Sequence, residues 1–108
     1  MMKKFPVTST NGNVYLVKMI ESFMFESHYE VRVYEEYVGL FGRKKYRFLN
    51  EEIFGGSRSY DIRKFNYNLV EVAKHEIQRM ENEWEAEKQL KNKKLEAQKE
   101  FIQWDGKC

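Results

Sequence analysis

At 108 residues, with 42% hydrophobic and 16% aromatic content, the chain can bury one modest core, as a folded protein and not a disordered one. Lys and Arg number 19 against 17 Asp and Glu, a net charge of +2, too even a balance for bulk attraction to nucleic acid or an anionic membrane. One cysteine, Cys108, excludes a disulfide framework within the chain and fits a reducing compartment.

Met1-Met2-Lys3-Lys4 has the charge of a signal-peptide start, but Pro6-Val7-Thr8-Ser9-Thr10-Asn11 follows in place of an apolar segment. No stretch approaches the ~20 apolar residues that span a bilayer. A cytoplasmic protein with no membrane partner is therefore expected. Asn11-Gly12 is the strongest hairpin signal, since both residues tolerate positive φ. It joins a strand over 5–10 to a second over 14–25. Pro6 has no amide hydrogen to donate, which assigns the first strand to a sheet edge. The second has Val14, Leu16, Lys18 and Ile20 on one side and Tyr15, Val17 and Met19 on the other. That pattern suits a central strand, either bulged near Glu21-Ser22 or ending there, with Phe23-Met24-Phe25 as a separate exposed element.

Residues 28–35 alternate, Tyr29, Val31 and Val33 against His28, Glu30, Arg32 and Tyr34, as a half-buried antiparallel strand does. Gly39-Leu40-Phe41-Gly42 turns the chain, and 45–49 resumes the alternation. The fold class expected is α+β: a four-stranded antiparallel meander, with room for a short extra strand over 52–54, followed by one long helix. A loop over 55–59 and an ambiguous stretch over 60–66 lead to Asn68. Asn68 suits a helix N-cap, with Glu71 placed for a capping box and Tyr67 with Val72 for a hydrophobic staple.

Residues 57–105 contain neither Gly nor Pro. The spacing of Leu69, Val70, Ala73, Ile77, Met80 and Trp84 predicts a helix face turned to the sheet. A continuous helix over 69–104 would reach ~54 Å at 1.5 Å per residue, more than a small sheet can cover. Beyond Trp84 the apolar residues thin to Leu90, Leu95, Phe101, Ile102 and Trp104. Heptads continued from the first stripe meet Glu87, Lys91, Lys94 and Gln98, so no coiled-coil seam is sustained. The organisation expected is a single domain: sheet over 1–56, connector over 57–67, helix over 68–104 with its distal part projecting.

No catalytic signature or cofactor motif is visible, and an enzyme is not expected. Glu81, Glu83, Glu85 and Glu87 alternate, so on a helix they face different ways. The pair Glu71 and His75 lacks the further ligands that zinc needs. Three binding surfaces remain. Leu90, Leu95, Phe101, Ile102 and Trp104 either return to the sheet, if the helix breaks near Lys91-Asn92-Lys93-Lys94 and folds back, or, on the favoured continuous helix, have no evident partner in their own chain and suit binding to another protein or a second copy. Arg43, Lys44, Lys45 and Arg47, beside Phe41, Tyr46 and Phe48, combine the cations and rings that single-stranded nucleic acid requires. Strand alternation, however, sends Tyr46 and Phe48 to the face opposite Lys45 and Arg47, as in a plain hairpin whose rings face the helix. Gly55, Gly56, Ser57 and Arg58, with Arg63 and Lys64 near, form the least that a phosphate cradle needs.

The opening 4–17, Lys4-Phe5-Pro6-Val7 through Asn11-Gly12-Asn13-Val14-Tyr15-Leu16-Val17, and the segment Tyr29-Glu30-Val31-Arg32-Val33-Tyr34 resemble small phage and prophage accessory proteins of low-GC Gram-positive bacteria. So does the order of aromatic hairpins before one charged helix. The resemblance implies a protein of the bacterial host cell that acts by binding, often as an antagonist or modifier of host machinery such as antiviral defence. The leading expectation is thus a non-catalytic interaction protein that binds a bacterial protein, as a monomer or homodimer. Nucleic-acid binding is the alternative and nucleotide sequestration the third reading.

Overall fold

The computed structural model describes residues 1–52 and 58–108. They form β1 (Met2–Thr8), β2 (Val14–Glu21), β3 (His28–Val38), β4 (Lys44–Phe48), β5 (Ser59–Asp61) and α1 (Leu69–Gln103), with short 3-10 turns at Leu40–Gly42 and Ile62–Phe65. All pairings are antiparallel, in the order β1-β2-β3-β4, with β5 also on β3. The α+β class and the meander expected from alternation are both present. Pro6 lies on the edge strand β1, at the register shift between Lys4 and Val7, where a missing donor disrupts no ladder.

The first turn differs in detail from its signal. Ser9 N–H donates to Asn13 O at 2.8 Å and Gly12 N–H to Ser9 O at 3.0 Å. Only Gly12 takes positive φ, at 85°. The loop is therefore the three-residue form Thr10-Asn11-Gly12, with glycine in the left-handed position. β2 ends at Glu21, and Phe23, Met24 and Phe25 follow as exposed loop residues.

Register sorts the side chains into two faces. Val17 opposes Val33 and Met19 opposes Val31. With Tyr15, these residues form the buried face of the sheet. Val31, Val33 and Val72 are inaccessible to solvent, and burial of one such side chain contributes about 1.5–3 kcal/mol. The register pairs Tyr60 of β5 with Tyr29 on that face. Tyr60 OH donates to Glu76 Oε2 of α1 at 3.2 Å, and its ring meets His75 edge-on at 5.2 Å. The first turns of α1 therefore lie over this face.

β4 and β5 share one edge of β3, the first along 34–38 and the second along 28–30. Between them Asn50 fills the ladder. Its Oδ1 accepts from Val33 N–H at 2.8 Å and its Nδ2 donates to Val31 O at 2.7 Å. Asn50 is buried, and one side-chain amide replaces a missing residue of strand. The fifth strand stands at Ser59–Asp61; of the stretch 52–54 only Glu52 is described, and it is not in a strand. The ambiguous stretch 60–66 divides between β5 and the 3-10 turn, which Asp61 caps by accepting from Arg63 N–H at 3.0 Å.

Asn68 caps α1 as its sequence suggests, its Oδ1 accepting from Val70 N–H at 3.1 Å and Glu71 N–H at 3.2 Å. Neither companion motif forms. Glu71 turns to Lys74 at 3.6 Å. Tyr67, left-handed at φ 58°, is exposed while Val72 is buried, so no staple closes. The helix buries much of the expected stripe, with Ile77 and Met80 buried and Leu69 and Ala73 half-buried, but not all of it. Val72, Glu76, Ile77, Met80 and Glu81 are buried, whereas Val70 and Trp84 are exposed. Asn66 and Tyr67, both left-handed, immediately precede the Asn68 cap, and the rotation of the helix on the sheet is something apolar spacing alone does not report.

The chain divides into two units, Met1–Gln78 and Arg79–Cys108, with the division inside α1. In the second unit every residue from Asn82 onward is exposed. Its polar side chains pair locally, Arg79 Nη1 with Glu83 Oε2 at 2.7 Å and Gln89 Nε2 with Glu85 Oε1 at 3.4 Å.

Candidate interaction site

The five large apolar residues beyond Trp84 retain much of their accessible surface: Leu90 54%, Leu95 54%, Phe101 72%, Ile102 79% and Trp104 51%. Helical periodicity divides them into two rows. Leu90, Ala97, Phe101 and Trp104 follow at intervals of seven, four and three; Leu95 and Ile102 are seven apart. Phe101 and Trp104 rings lie 6.2 Å apart. Trp104 is held beyond the helix end by its Nε1–H to Lys107 O at 3.1 Å, in a turn where Asp105 Oδ1 accepts Lys107 N–H at 3.0 Å. Ala97, Gln98, Phe101 and Ile102 line a shallow apolar depression. Two aromatic rings and three branched aliphatics in neighbouring rows are anchors of the kind that protein interfaces use.

The basic hairpin tip is less free than its sequence suggests. Lys44 Nζ stands 3.6 Å from Glu36, and Arg47 Nη1 3.0 Å from Glu35 with its guanidinium 4.9 Å from the Tyr37 ring. Two of the four cations are thus answered by carboxylates of β3. Phe41, almost fully exposed, is left-handed at φ 70°, an unfavourable state for a bulky residue. Tyr46 and Phe48 do take the face opposite Lys45 and Arg47. They do not face the helix: Phe48 opposes Tyr34, on the side of the sheet away from Tyr60 and α1.

Of the phosphate-cradle residues, Gly55, Gly56 and Ser57 lie outside the described residues. Arg58 is exposed, 3.8 Å from Glu52, and its carbonyl accepts Val31 N–H at 3.2 Å. Arg63 is committed to Asp61 through Nη2 at 2.8 Å. That hydrogen bond is the main cause that lowers the Asp61 carboxyl from its ordinary 3.8 to about 2. His75 packs against Tyr60 and Phe65 rings, a packing role. Among the described residues no group of three or more His, Cys, Asp and Glu converges as metal ligands would. No helix among them is long and apolar enough to cross a membrane.

No protein-family model and no solved structure matches the chain. Over 105 residues, 97% of this chain and 93% of the relative, it is 28% identical to the SPbeta prophage-derived uncharacterized protein YoqB of Bacillus subtilis (strain 168). The likeness to a prophage protein of a low-GC Gram-positive bacterium, which 4–17 and 29–34 suggest, therefore extends across nearly the whole chain.

Proposed function

We propose that this protein is a non-catalytic accessory protein of a prophage that works in the host cytoplasm by binding a bacterial protein. The carrying observation is the set of five large, exposed apolar side chains over 90–104. In water such a patch is a standing cost, which association with a complementary surface removes. The prophage origin of the relative supports a host protein as the partner, with components of antiviral defence as the class to try first. Pairing with a second copy is the other occupant of the same surface.

The test compares wild type with the Phe101→Ala/Trp104→Ala double variant. Light scattering across a concentration series reads self-association, and retention of host proteins on immobilised bait reads the partner. The double variant is expected to lose what wild type holds, by tenfold or more in affinity (about 1.4 kcal/mol or above), at unchanged thermal stability. Equal association by both proteins in both measurements would sink the proposal.

A further inference from the structure

The sheet face away from α1 buries Leu16 opposite Tyr34 and also carries a row of cations that this packing does not explain. Register sets Lys3 opposite Lys18 and Lys18 opposite Arg32. Three cations thus form a row across β1, β2 and β3, with neighbours about 5 Å apart at Cβ, and like charges so placed oppose sheet formation. Arg32 is relieved by Glu30, 3.0 Å from its Nε. Among the described residues, no carboxylate pairs with Lys3 or Lys18.

The adjoining row on the same face is aromatic. Tyr34 opposes both Leu16 and Phe48, and the Tyr34 and Phe48 rings stack at 5.2 Å with 26° between planes. The cations lean onto these rings, Lys18 Nζ 4.9 Å from the centre of Tyr34 and Arg32 Cζ 5.8 Å from that of Phe48. Phe5 and Tyr46, both exposed, meet edge-to-face at 6.1 Å on this side.

We propose that this face binds single-stranded nucleic acid, with Lys3, Lys18 and Arg32 on phosphates and Tyr34 and Phe48 under bases. A strand offers both things the face requires: a line of anions for a row of cations in which only Arg32 has a carboxylate partner, and flat rings for a stacked pair. The long Lys18 and Arg32 side chains swing from ring to phosphate, and bases take their place over the rings. A duplex keeps its bases stacked on one another and leaves Tyr34 and Phe48 idle. An apolar protein partner would leave the cation row unanswered. The site uses other residues than 90–104, so Phe101→Ala/Trp104→Ala leaves it intact and the two proposals fail separately.

The experiment is fluorescence anisotropy of a labelled oligothymidine of about 20 nucleotides with the full chain, starting at roughly 50 mM salt. Three phosphates on a single strand predict log K falling against log salt with a slope of about −2. Lys3→Gln/Lys18→Gln is expected to weaken binding tenfold or more. Tyr34→Leu is expected to weaken it by about tenfold, the loss of one stacked base. Thermal melts confirm that each variant is folded; should Tyr34→Leu fail to fold, the lysine pair, which is outside the core, still decides. Arg43→Gln/Lys45→Gln at the hairpin tip serves as the control and should change affinity less than about threefold. No binding at low salt, equally tight binding of the same sequence as a duplex, or loss on the hairpin pair but not on Lys3 and Lys18 each overturns the proposal.

Discussion

Met1–Gln78 and Arg79–Cys108 use the same kinds of apolar side chain to opposite ends. In the first unit Val17, Met19, Val31 and Val33 vanish from solvent; in the second Leu90, Phe101 and Ile102 keep most of their surface. Backbone chemistry explains why one chain can do both. A strand satisfies its N–H and C=O groups only on a neighbour, so forming it brings side chains of several strands together. A helix satisfies its backbone internally, so it can carry apolar rows past the end of its core. The contrast teaches that apolar content alone does not mark a core. The first unit supplies partner surfaces, and its buried polar groups show how closely these fit: no buried side-chain nitrogen or oxygen among the described residues lacks a partner.

The contrast is broken most severely at Asn50. Asn50→Ala strands the Val33 amide and the Val31 carbonyl inside the sheet, and about 3 kcal/mol of stability should be lost, read as a lower urea midpoint at constant slope. A loss under about 1 kcal/mol would show that water or a shifted strand replaces the amide. Next comes a matched pair. Val33→Ala removes buried methyl groups and should cost about 2 to 3 kcal/mol, whereas Leu95→Ala should stay within about 0.5 kcal/mol. Equal costs would mean that Leu95 is buried in solution. The smallest effect belongs to Asp61. Its carboxyl is held below its ordinary 3.8, at about 2, by Arg63. A lowered folded value gives stability that is present above pH 4 and lost as pH falls from about 4 to 2. Asp61→Asn should melt slightly lower at neutral pH and show a shallower fall in Tm across that acid window. Parallel curves for the two proteins would remove Asp61 from acid unfolding.

Local signals were legible where one residue's chemistry decides the outcome. Pro6 cannot donate and so marks an edge. Alternation over 28–35 reads as a half-buried strand, and Asn68 caps α1 because its oxygen reaches the free amides of the first turn. The order β1 to β4 and the long helix followed from such signals, as did the exposure of Leu90, Leu95, Phe101, Ile102 and Trp104. The expected helix stripe failed at Val70 and Trp84 while Ile77 and Met80 held, because a spacing of three and four fixes a periodicity but not the rotation of the helix on the sheet.

What the sequence by itself determined is therefore the four strands of the meander in their order, the turns between them, the long helix, and that the apolar residues after Trp84 do not continue a core stripe. Only the tertiary structure decided that β5 returns to β3, that Asn50 splices the two strands sharing that edge, and that Lys3, Lys18 and Arg32 stand in one row beside Tyr34 and Phe48. Each of these depends on register between segments distant in the chain. Register shifts by one residue reverse every face, and no local propensity encodes which residue of one strand will oppose which residue of another.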